Sequence, residues 1–459
     1  MTGQFREACG VFGIFAPGLD AAMLTYYGLY ALQHRGQECA GIAVSDGTGI
    51  QVYKNKGLVA EVFPEETLQK LKGHIAVGHV LYGTGATSLS GAQPLSFNYL
   101  RGSVALALNG KLVNGAELHH RLAFNGSVFQ SNAEAELFVN LIARYGQNPL
   151  PEALMKCMID VKGAYALVVM NEKQLIGVRD PNGIRPLCLG KLENGYVLAS
   201  ESCALDIVGA TFIRDLEPGE ILVIDENGLT SYQTMVPVRR AVCIFEYIYF
   251  ARPDSIIDGE TVNIVRREMG RQLAKEVRPD ADLVIPIPDS GTAAAAGYSE
   301  ATGLPFCEGL MKNRYIGRTF IRPSQKMRDV AVRLKLNPIR EIVQGRKIIL
   351  VDDSLVRGTT SKKIIELLRR VEVGEVHLLI TSPPVLYPCY YGVDTSQREE
   401  LIAAKGDLEG TRRYIGADGL HYLSLAGLLN SFQGPKDRFC TACFDANYIA
   451  GKPGGQESY

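Results

Sequence analysis

The segment KIILVDDSLVRGTTSKKIIELL, residues 347–368, decides the fold of the second half of the chain. Its apolar run IILV predicts a buried strand, which delivers Asp352 and Asp353 to the carboxyl end of a sheet. A loop of small and hydroxyl residues follows, and Ile364 and Leu368 then share one face of a helix. Loop amides, hydroxyls and a helix N-terminus at one point favour a site for a phosphate monoester.

The paired carboxylates Asp352 and Asp353 can accept hydrogen bonds from a sugar diol or hold a divalent metal. An acidic response-regulator pocket also places paired aspartates after a strand, but it leaves the hydroxyl cluster in RGTTS without a role. A Walker loop is excluded because no G-x-x-x-x-G-K-[ST] pattern occurs.

Outward from this segment, the runs DLVIPIP and VHLLITSPP alternate with helical patterns, which predicts a parallel sheet with crossover helices. The first half instead contains short strands broken by glycine, such as GVFGIF, GIAVS and SVALAL. Together with few helical patterns, they predict stacked sheets flanked by helices. We expect the domain boundary near Pro237 to Ala241.

Composition restricts the function classes. The 459 residues are 46% hydrophobic with a net charge of −1, which argues for a globular protein without a broad nucleic-acid surface. There is no apolar run of about 18 residues and no secretory signal pattern, so we expect a cytoplasmic protein without a membrane span. Ten cysteines are then expected as thiols or metal ligands.

These segments, with PIPDSGTAAAAGY and KNRYIGRTFIRPSQ, resemble the type I phosphoribosyltransferases. The resemblance implies that Asp352 and Asp353 hold the ribose hydroxyls of phosphoribosyl pyrophosphate, directly or through Mg²⁺, and that Ser290 joins the metal and pyrophosphate site. It assigns the 5-phosphate to Ser354, Arg357, Gly358, Thr359, Thr360 and Ser361. The stretch from Lys312 to Arg328 has no acid, and we interpret it as a basic lid over pyrophosphate. Its cations are Lys312, Arg314, Arg318, Arg322, Lys326 and Arg328.

The first half, beginning REACGVFGIF, resembles the class II glutamine amidotransferases of the N-terminal nucleophile hydrolase type. The resemblance implies that Cys9 is the nucleophile and that Met1 to Ala8 form a propeptide. Once freed, the α-amine of Cys9, with a reference pKa of about 7.7 to 8.0, can take the thiol proton. Asn109 and Gly110 match the oxyanion hole of that family, and Arg35 and Gly36 match the loop beside the nucleophile.

Two positions depart from the pattern of that family. Leu81 stands where an arginine binds the glutamine α-carboxylate, and Asn132 stands where an aspartate binds the α-amine. Charge-assisted hydrogen bonds contribute about 1.5 to 3 kcal/mol each, so we expect glutamine to be used less well than ammonia. Lys111 is a candidate for the missing positive charge.

A second group of thiols lies at Cys243, Cys389, Cys440 and Cys443. The C-x-x-C pair alone is typical of a redox motif or half a zinc site, and four thiolates suit zinc or a cubane cluster. The resemblance extends to family members that carry a [4Fe-4S] cluster at these positions. We interpret the remaining thiols as core or incidental residues: Cys39, Cys157, Cys188, Cys203 and Cys307.

Taken together, the sequence predicts an αββα sandwich over residues 9–238 and a parallel-sheet phosphoribosyltransferase domain over residues 239–459, after a propeptide of residues 1–8. The resemblances imply glutamine hydrolysis, internal transfer of ammonia and formation of phosphoribosylamine, the first step of purine biosynthesis. They also imply Mg²⁺, feedback by purine nucleotides and a homo-oligomer, commonly a tetramer. The alternatives are an ammonia-dependent transferase with an impaired glutaminase site and a non-enzymatic nucleotide or oxygen sensor.

Overall fold

The computed structural model describes residues 9–82, 89–313, 336–393, 395 and 397–454. The predicted propeptide lies outside these residues, as do all the lid cations after Lys312, including Arg318.

The first half of the chain contains a seven-stranded sheet, in which every pair of neighbouring strands is antiparallel. In the strand Gly10–Phe15, Phe12 and Ile14 pack toward a layer of helices while Val11 and Phe15 pack toward a second sheet. This alternation follows from the two-residue period of a strand. In spatial order the strands are Thr211–Asp215, Cys188–Leu192, Gly195–Ala199, Gly10–Phe15, Ile75–Leu81, Cys39–Ser45 and Ile50–Lys56.

The second sheet has six antiparallel strands and packs face to face on the first. Its other face is covered by helices, so the layers follow the order helix, sheet, sheet, helix, as predicted. In spatial order its strands are Gly228–Gln233, Glu220–Asp225, Leu175–Arg179, Gly163–Met170, Gly102–Leu112 and Leu95–Tyr99. The helices of this half are Ala21–Ala31, Val59–Val62, Glu65–Leu68, Gly115–Phe124, Glu134–Arg144, Leu150–Asp160 and Cys203–Ile207, with short 3₁₀ turns at Gln33–Arg35 and Leu89–Gly91.

The second half contains the predicted parallel sheet, with strands in the order Leu283–Pro286, Lys347–Asp352, Glu375–Ile380 and Gly419–Tyr422. In its strand Lys347–Asp352, Ile348 and Leu350 enter one core while Ile349 and Val351 enter the other. Both faces are therefore covered, which explains why the run is continuously apolar. The helices are Val262–Glu276, Thr292–Thr302, Arg340–Val343, Thr359–Arg370, Ile402–Lys405, Leu408–Ile415, Leu425–Asn430 and Ala442–Asp445, with one π-helical turn at Glu246–Phe250 and 3₁₀ turns at Arg398–Glu400 and Lys436–Arg438.

Three short strand pairs complete the described fold. Val242–Cys243 pairs with Phe439–Cys440 in parallel, Ile256–Ile257 pairs with Glu260–Thr261, and Leu310–Lys312 pairs with Leu336–Pro338. Every helix in the described part of the chain is too short or too polar to cross a membrane.

Candidate functional site

The predicted phosphate loop lies between the strand Lys347–Asp352 and the helix Thr359–Arg370. Gly358 precedes the first helical residue with φ of +71°, and Ser361 is buried in the first turn. Thr359, Thr360 and Ser361 form the first turn of this 12-residue helix, where the free backbone amides favour an anionic phosphate, and the Ser354 hydroxyl donates to the Asp353 carboxylate.

Asp352 and Asp353 are both buried at the end of that strand, at 8% and 6% exposure. Burial, and next the adjacent Asp353, raises the pKa of Asp352 well above its usual range. Burial also raises the pKa of Asp353, against hydrogen bonds from Ser290 and Ser354 and the charge of Arg266. Two carboxyls that are costly to ionise in isolation form a site suited to a cation or to sugar hydroxyls.

Two further predicted transferase residues, Ser290 and Lys312, lie at this edge of the sheet, whereas Arg357 has a different partner. Ser290 bonds the Asp353 carboxylate, and Lys312 pairs with Asp289 in the same PDSG loop. Arg357 instead donates from Nε to Oε2 of Glu400 at 3.0 Å. In this state, therefore, Glu400 holds the Arg357 guanidinium.

The predicted nucleophile Cys9 precedes the first strand and packs against Cys39, Leu81 and Ala92. Its thiol lies 3.9 Å from the carbonyl oxygen of Tyr82, and Nε of Arg35 donates to the Cys9 carbonyl oxygen at 3.3 Å. Burial raises the pKa of the Cys9 thiol, while the charges of Arg185 and Arg35 oppose that rise. Activation of the thiol therefore requires a base.

Asn109 and Gly110 lie in the strand Gly102–Leu112 of the second sheet. Asn109 is fully buried, and within the described residues neither its Nδ2 nor its Oδ1 has a hydrogen-bond partner. A buried amide without partners is costly, which indicates a group kept for a ligand. Gly110 has φ of +144°, and a Cβ there would lie 2.1 Å from the carbonyl oxygen of Ala164.

The two departures lie in different surroundings. Leu81 is buried at 9% exposure in the apolar group beside Cys9, whereas Asn132 is exposed in the loop before the helix Glu134–Arg144. Lys111 is exposed and lies within electrostatic reach of Glu134, whose pKa burial raises to about 7.

The four cysteines Cys243, Cys389, Cys440 and Cys443 line one cavity. Cys243 and Cys440 are paired residues of the short parallel strand pair, and the backbone amide of Tyr391 donates to the Cys389 sulfur at 3.3 Å. Burial raises the pKa of Cys243 to about 12 and raises the pKa values of Cys440 and Cys443 well above the usual thiol range.

The four thiols share this cavity, although the described residues contain no group of three or more His, Cys, Asp or Glu side chains arranged to hold a metal ion. Four thiols spread around a shared cavity, with an amide donating to one sulfur, match the surroundings of a cluster with several metal atoms.

Sequence reasoning missed a set of buried charges near these sites. Arg266 is 4% exposed and donates to the carbonyl oxygens of Tyr247 and Ala251 at 2.7 and 2.8 Å. Arg185, Glu201 and Glu246 are fully buried. Nothing local in the sequence marks them, because their partners lie up to 211 positions away.

Comparisons with known proteins cover nearly the whole chain. A family model described as a glutamine amidotransferase domain matches residues 84–206, and one described as a phosphoribosyl transferase domain matches residues 260–382. The chain is 49% identical over 456 residues to amidophosphoribosyltransferase of Mycobacterium bovis, covering 96% of this chain and 86% of the relative. The Bacillus subtilis relative of the same name is 47% identical, with 96% and 94% covered.

A solved structure gives the same result for the fold. The structure titled glutamine phosphoribosylpyrophosphate amidotransferase from B. subtilis, complexed with ADP and GMP, superimposes with a TM-score of 0.91 at 47% identity. The match covers 96% of this chain and 97% of that one.

Proposed function

Because the chain belongs to the amidophosphoribosyltransferase family, we propose that Asp352 to Ser361 bind phosphoribosyl pyrophosphate and that Cys9 is the glutaminase nucleophile. The family joins a glutamine amidotransferase to a pentosyltransferase of purine biosynthesis, and both domains are present here. We place their boundary at residues 238 and 239, between the last strand of the second sheet and Val242–Cys243.

The observation that carries the transferase assignment is the buried pair Asp352 and Asp353 beside a hydroxyl-rich helix N-terminus. The carboxylates bind the ribose hydroxyls, and the loop from Ser354 to Ser361 binds the 5-phosphate. Ammonia attacks the anomeric carbon, the bond from that carbon to pyrophosphate breaks, and the nitrogen releases a proton. Lys312 lies beside the PDSG loop, where its charge stabilises the departing pyrophosphate.

Phosphoribosyltransferases typically use Mg²⁺, and the residues present fit that ion. Mg²⁺ is commonly held by one or two carboxylates together with substrate phosphates rather than by a protein cage. Asp352 and Asp353, with Ser290 bonded to Asp353, are the groups that would hold it. When bound, the ion neutralises charge on the pyrophosphate.

In the glutaminase half, the Cys9 sulfur forms a bond to the amide carbon of glutamine. The oxygen that becomes negative lies between the Asn109 amide and the Gly110 backbone N–H. Ammonia leaves with a proton, and water then releases glutamate from the thioester. We propose that the base is the α-amine of Cys9, freed by removal of residues 1–8, because burial raises the thiol pKa.

Ammonia supplied from solution is the second candidate nitrogen source. Leu81 and Asn132 carry no charge that could pair with the α-carboxylate and the α-amine of glutamine. We therefore propose that glutamine is used less efficiently than ammonia, through weak binding rather than through loss of the nucleophile.

We further propose a [4Fe-4S] cluster at Cys243, Cys389, Cys440 and Cys443, with a structural role. The shared cavity and the N–H to sulfur bond at Cys389 support it. Because a B. subtilis relative was solved with ADP and GMP, we also propose feedback by purine nucleotides. From the family resemblance alone we propose a homo-oligomeric, tetrameric assembly.

The direct test of the transferase site is pyrophosphate release from phosphoribosyl pyrophosphate with saturating ammonium. We expect D353N to lower turnover by at least about 10², because the substrate loses a charged partner. The matched control is E220Q, which removes a buried carboxylate of the second sheet from its bidentate pair with Arg214 of the first sheet. Full turnover by D353N would contradict the assignment.

A further inference from the structure

Arg35 is held beside Cys9 by a carboxylate from the other half of the chain. Its Nη1 and Nη2 donate to Oε2 and Oε1 of Glu246 at 2.9 and 2.8 Å, and its Nε donates to the Cys9 carbonyl oxygen. Arg35 is 1% exposed and Glu246 is fully buried. Because the pair is bidentate and dry, it fixes the position of the guanidinium and of the backbone of Cys9.

Glu246 is shared with a second buried arginine. Nη1 of Arg185 donates to Glu246 Oε1 at 3.1 Å, so one carboxylate joins two guanidinium groups. We call Arg35, Glu246 and Arg185 the arginine bridge. Burial has the largest effect on the pKa of the Cys9 thiol, and the charges of both arginines act against it, so the arginine bridge contributes to the electrostatics of the nucleophile.

The far end of the arginine bridge contacts the four-cysteine cavity. Nε and Nη2 of Arg185 donate to the Tyr391 carbonyl oxygen at 3.1 and 2.6 Å, and the Tyr391 amide donates to the Cys389 sulfur. Gly392 follows with φ of +108°, and a Cβ there would lie 2.7 Å from Arg185 Nη2. Glu246 itself is three residues after Cys243. The two groups that Arg185 contacts, Glu246 and the Tyr391 carbonyl, therefore lie close in the chain to the proposed cluster ligands Cys243 and Cys389.

We propose that the arginine bridge couples occupancy of the four-cysteine site to the geometry of Cys9, with Glu246 and Arg185 as positioning residues. A cluster that fixes Cys243 and Cys389 also fixes Glu246 and the Tyr391 carbonyl. Glu246 and the Tyr391 carbonyl hold Arg185, Glu246 together with Glu201 holds Arg35, and Arg35 holds Cys9. Loss of the metal releases this chain of buried contacts and changes the environment of the nucleophile without any change in a glutamine-binding residue.

The test measures the alkylation rate of Cys9 by iodoacetamide, resolved by peptide mass spectrometry, in full-length protein before and after iron removal. It rests on the proposed cluster and nucleophile but needs no turnover, and iron content is measured separately. In the wild type we expect iron removal to change the rate by about fivefold or more. In iron-loaded E246Q we expect the rate of the iron-depleted wild type, with no further effect of depletion.

R185K is the second variant, because lysine keeps the charge but cannot make the bonds to both Glu246 and the Tyr391 carbonyl. E220Q is the control and should behave as the wild type, since its partners Arg214, Glu217 and Ser231 belong to neither site. The proposal is overturned if wild-type Cys9 reacts equally with and without iron, or if purified protein holds no iron. Equal Cys9 rates in iron-loaded E246Q, R185K and E220Q overturn it as well.

Discussion

We propose that Leu81 and Asn132 limit how well the glutaminase half binds glutamine. Leu81 fills buried space beside Cys9 with an aliphatic side chain, and Asn132 lies exposed with a neutral amide. Asn109 and Gly110 remain in place on their strand. The chemistry of the nucleophile and the recognition of the amino acid are therefore separable in this chain.

Restoring the two charges should restore glutamine use. We expect the double variant L81R/N132D to raise kcat/KM for glutamine by about 10² to 10⁴, because it returns two charge-assisted contacts. Measured glutaminase rates over a range of glutamine concentrations check this, with L81M/N132S as a charge-free control. An unchanged kcat/KM in a folded double variant would show that recognition is lost elsewhere.

Asp352 should lower the stability of the metal-free protein at neutral pH. Burial, with the adjacent Asp353, raises its pKa, so the folded state binds this proton more tightly than the unfolded chain. The stabilising contribution is complete below the ordinary pKa of about 4 and is lost as pH rises through the folded-state pKa. In EDTA at pH 7.5 we expect D352N to raise Tm by about 2 °C or more, and less at pH 5.

Thermal melts of the wild type and D352N at both pH values test whether the change in Tm is positive and larger at pH 7.5. The same variant should lose transfer activity, because a neutral amide binds a cation and sugar hydroxyls poorly. A lower Tm for D352N at pH 7.5 in a folded protein would mean that the carboxylate is stabilised by partners other than the ones described.

The sequence predicted these single residues unevenly, for a physical reason. Asp352 and Asp353 follow a continuous apolar run, so their place at the end of a strand is a local property of the chain. Arg185 and Glu246 are brought together by contacts between distant segments, and no local sequence pattern predicts them. Arg357 was predicted at the phosphate, and its pairing with Glu400 depends on a segment 43 positions away.

At the scale of elements, the short parallel pair of Val242–Cys243 with Phe439–Cys440 depends on the surrounding structure for its order. Each strand has two residues, and the pair joins the beginning of the second half to its C-terminal segment. So few backbone hydrogen bonds cannot order these segments alone. The surrounding aromatic core and the proposed cluster supply the rest.

Removing one cluster ligand should therefore loosen this pair first. We expect C440S to lose iron and to become cleavable by trypsin near Arg438 under conditions in which the wild type resists, since local opening exposes the backbone. Limited proteolysis with mass spectrometry checks this, and C307S serves as a control outside the cavity. Equal resistance of C440S would show that the cluster does not stabilise the segment.

The elements themselves were largely predictable, whereas their order in the first half was not. Glycine-broken apolar runs predict strands, and their period explains why Val11 and Phe12 enter different cores. The pairing of Phe12 with Ala199 joins strands almost the whole domain apart, and only the complete sandwich determines it. The parallel sheet was simpler, because each crossover helix connects strands that follow one another.

At the scale of the whole molecule, two chemistries share one chain and meet at a buried junction. The glutaminase half contains the proposed nucleophile Cys9 and the proposed oxyanion residues, and the transferase half contains Asp352 and the proposed phosphate loop. Buried ion pairs, including those from Arg35 and Arg185 to Glu246, cross from one half to the other. The departures at Leu81 and Asn132 lie in the first half alone. We therefore expect the transferase half to remain active with ammonia even when glutamine binds weakly.

The most direct measurement compares pyrophosphate release by the purified protein with saturating ammonium and with low-millimolar glutamine. We predict turnover that depends on phosphoribosyl pyrophosphate with ammonium, and a rate lower by at least about tenfold with glutamine, because both charged contacts are missing. Equal rates with the two nitrogen sources, or no release with ammonium, would contradict the account.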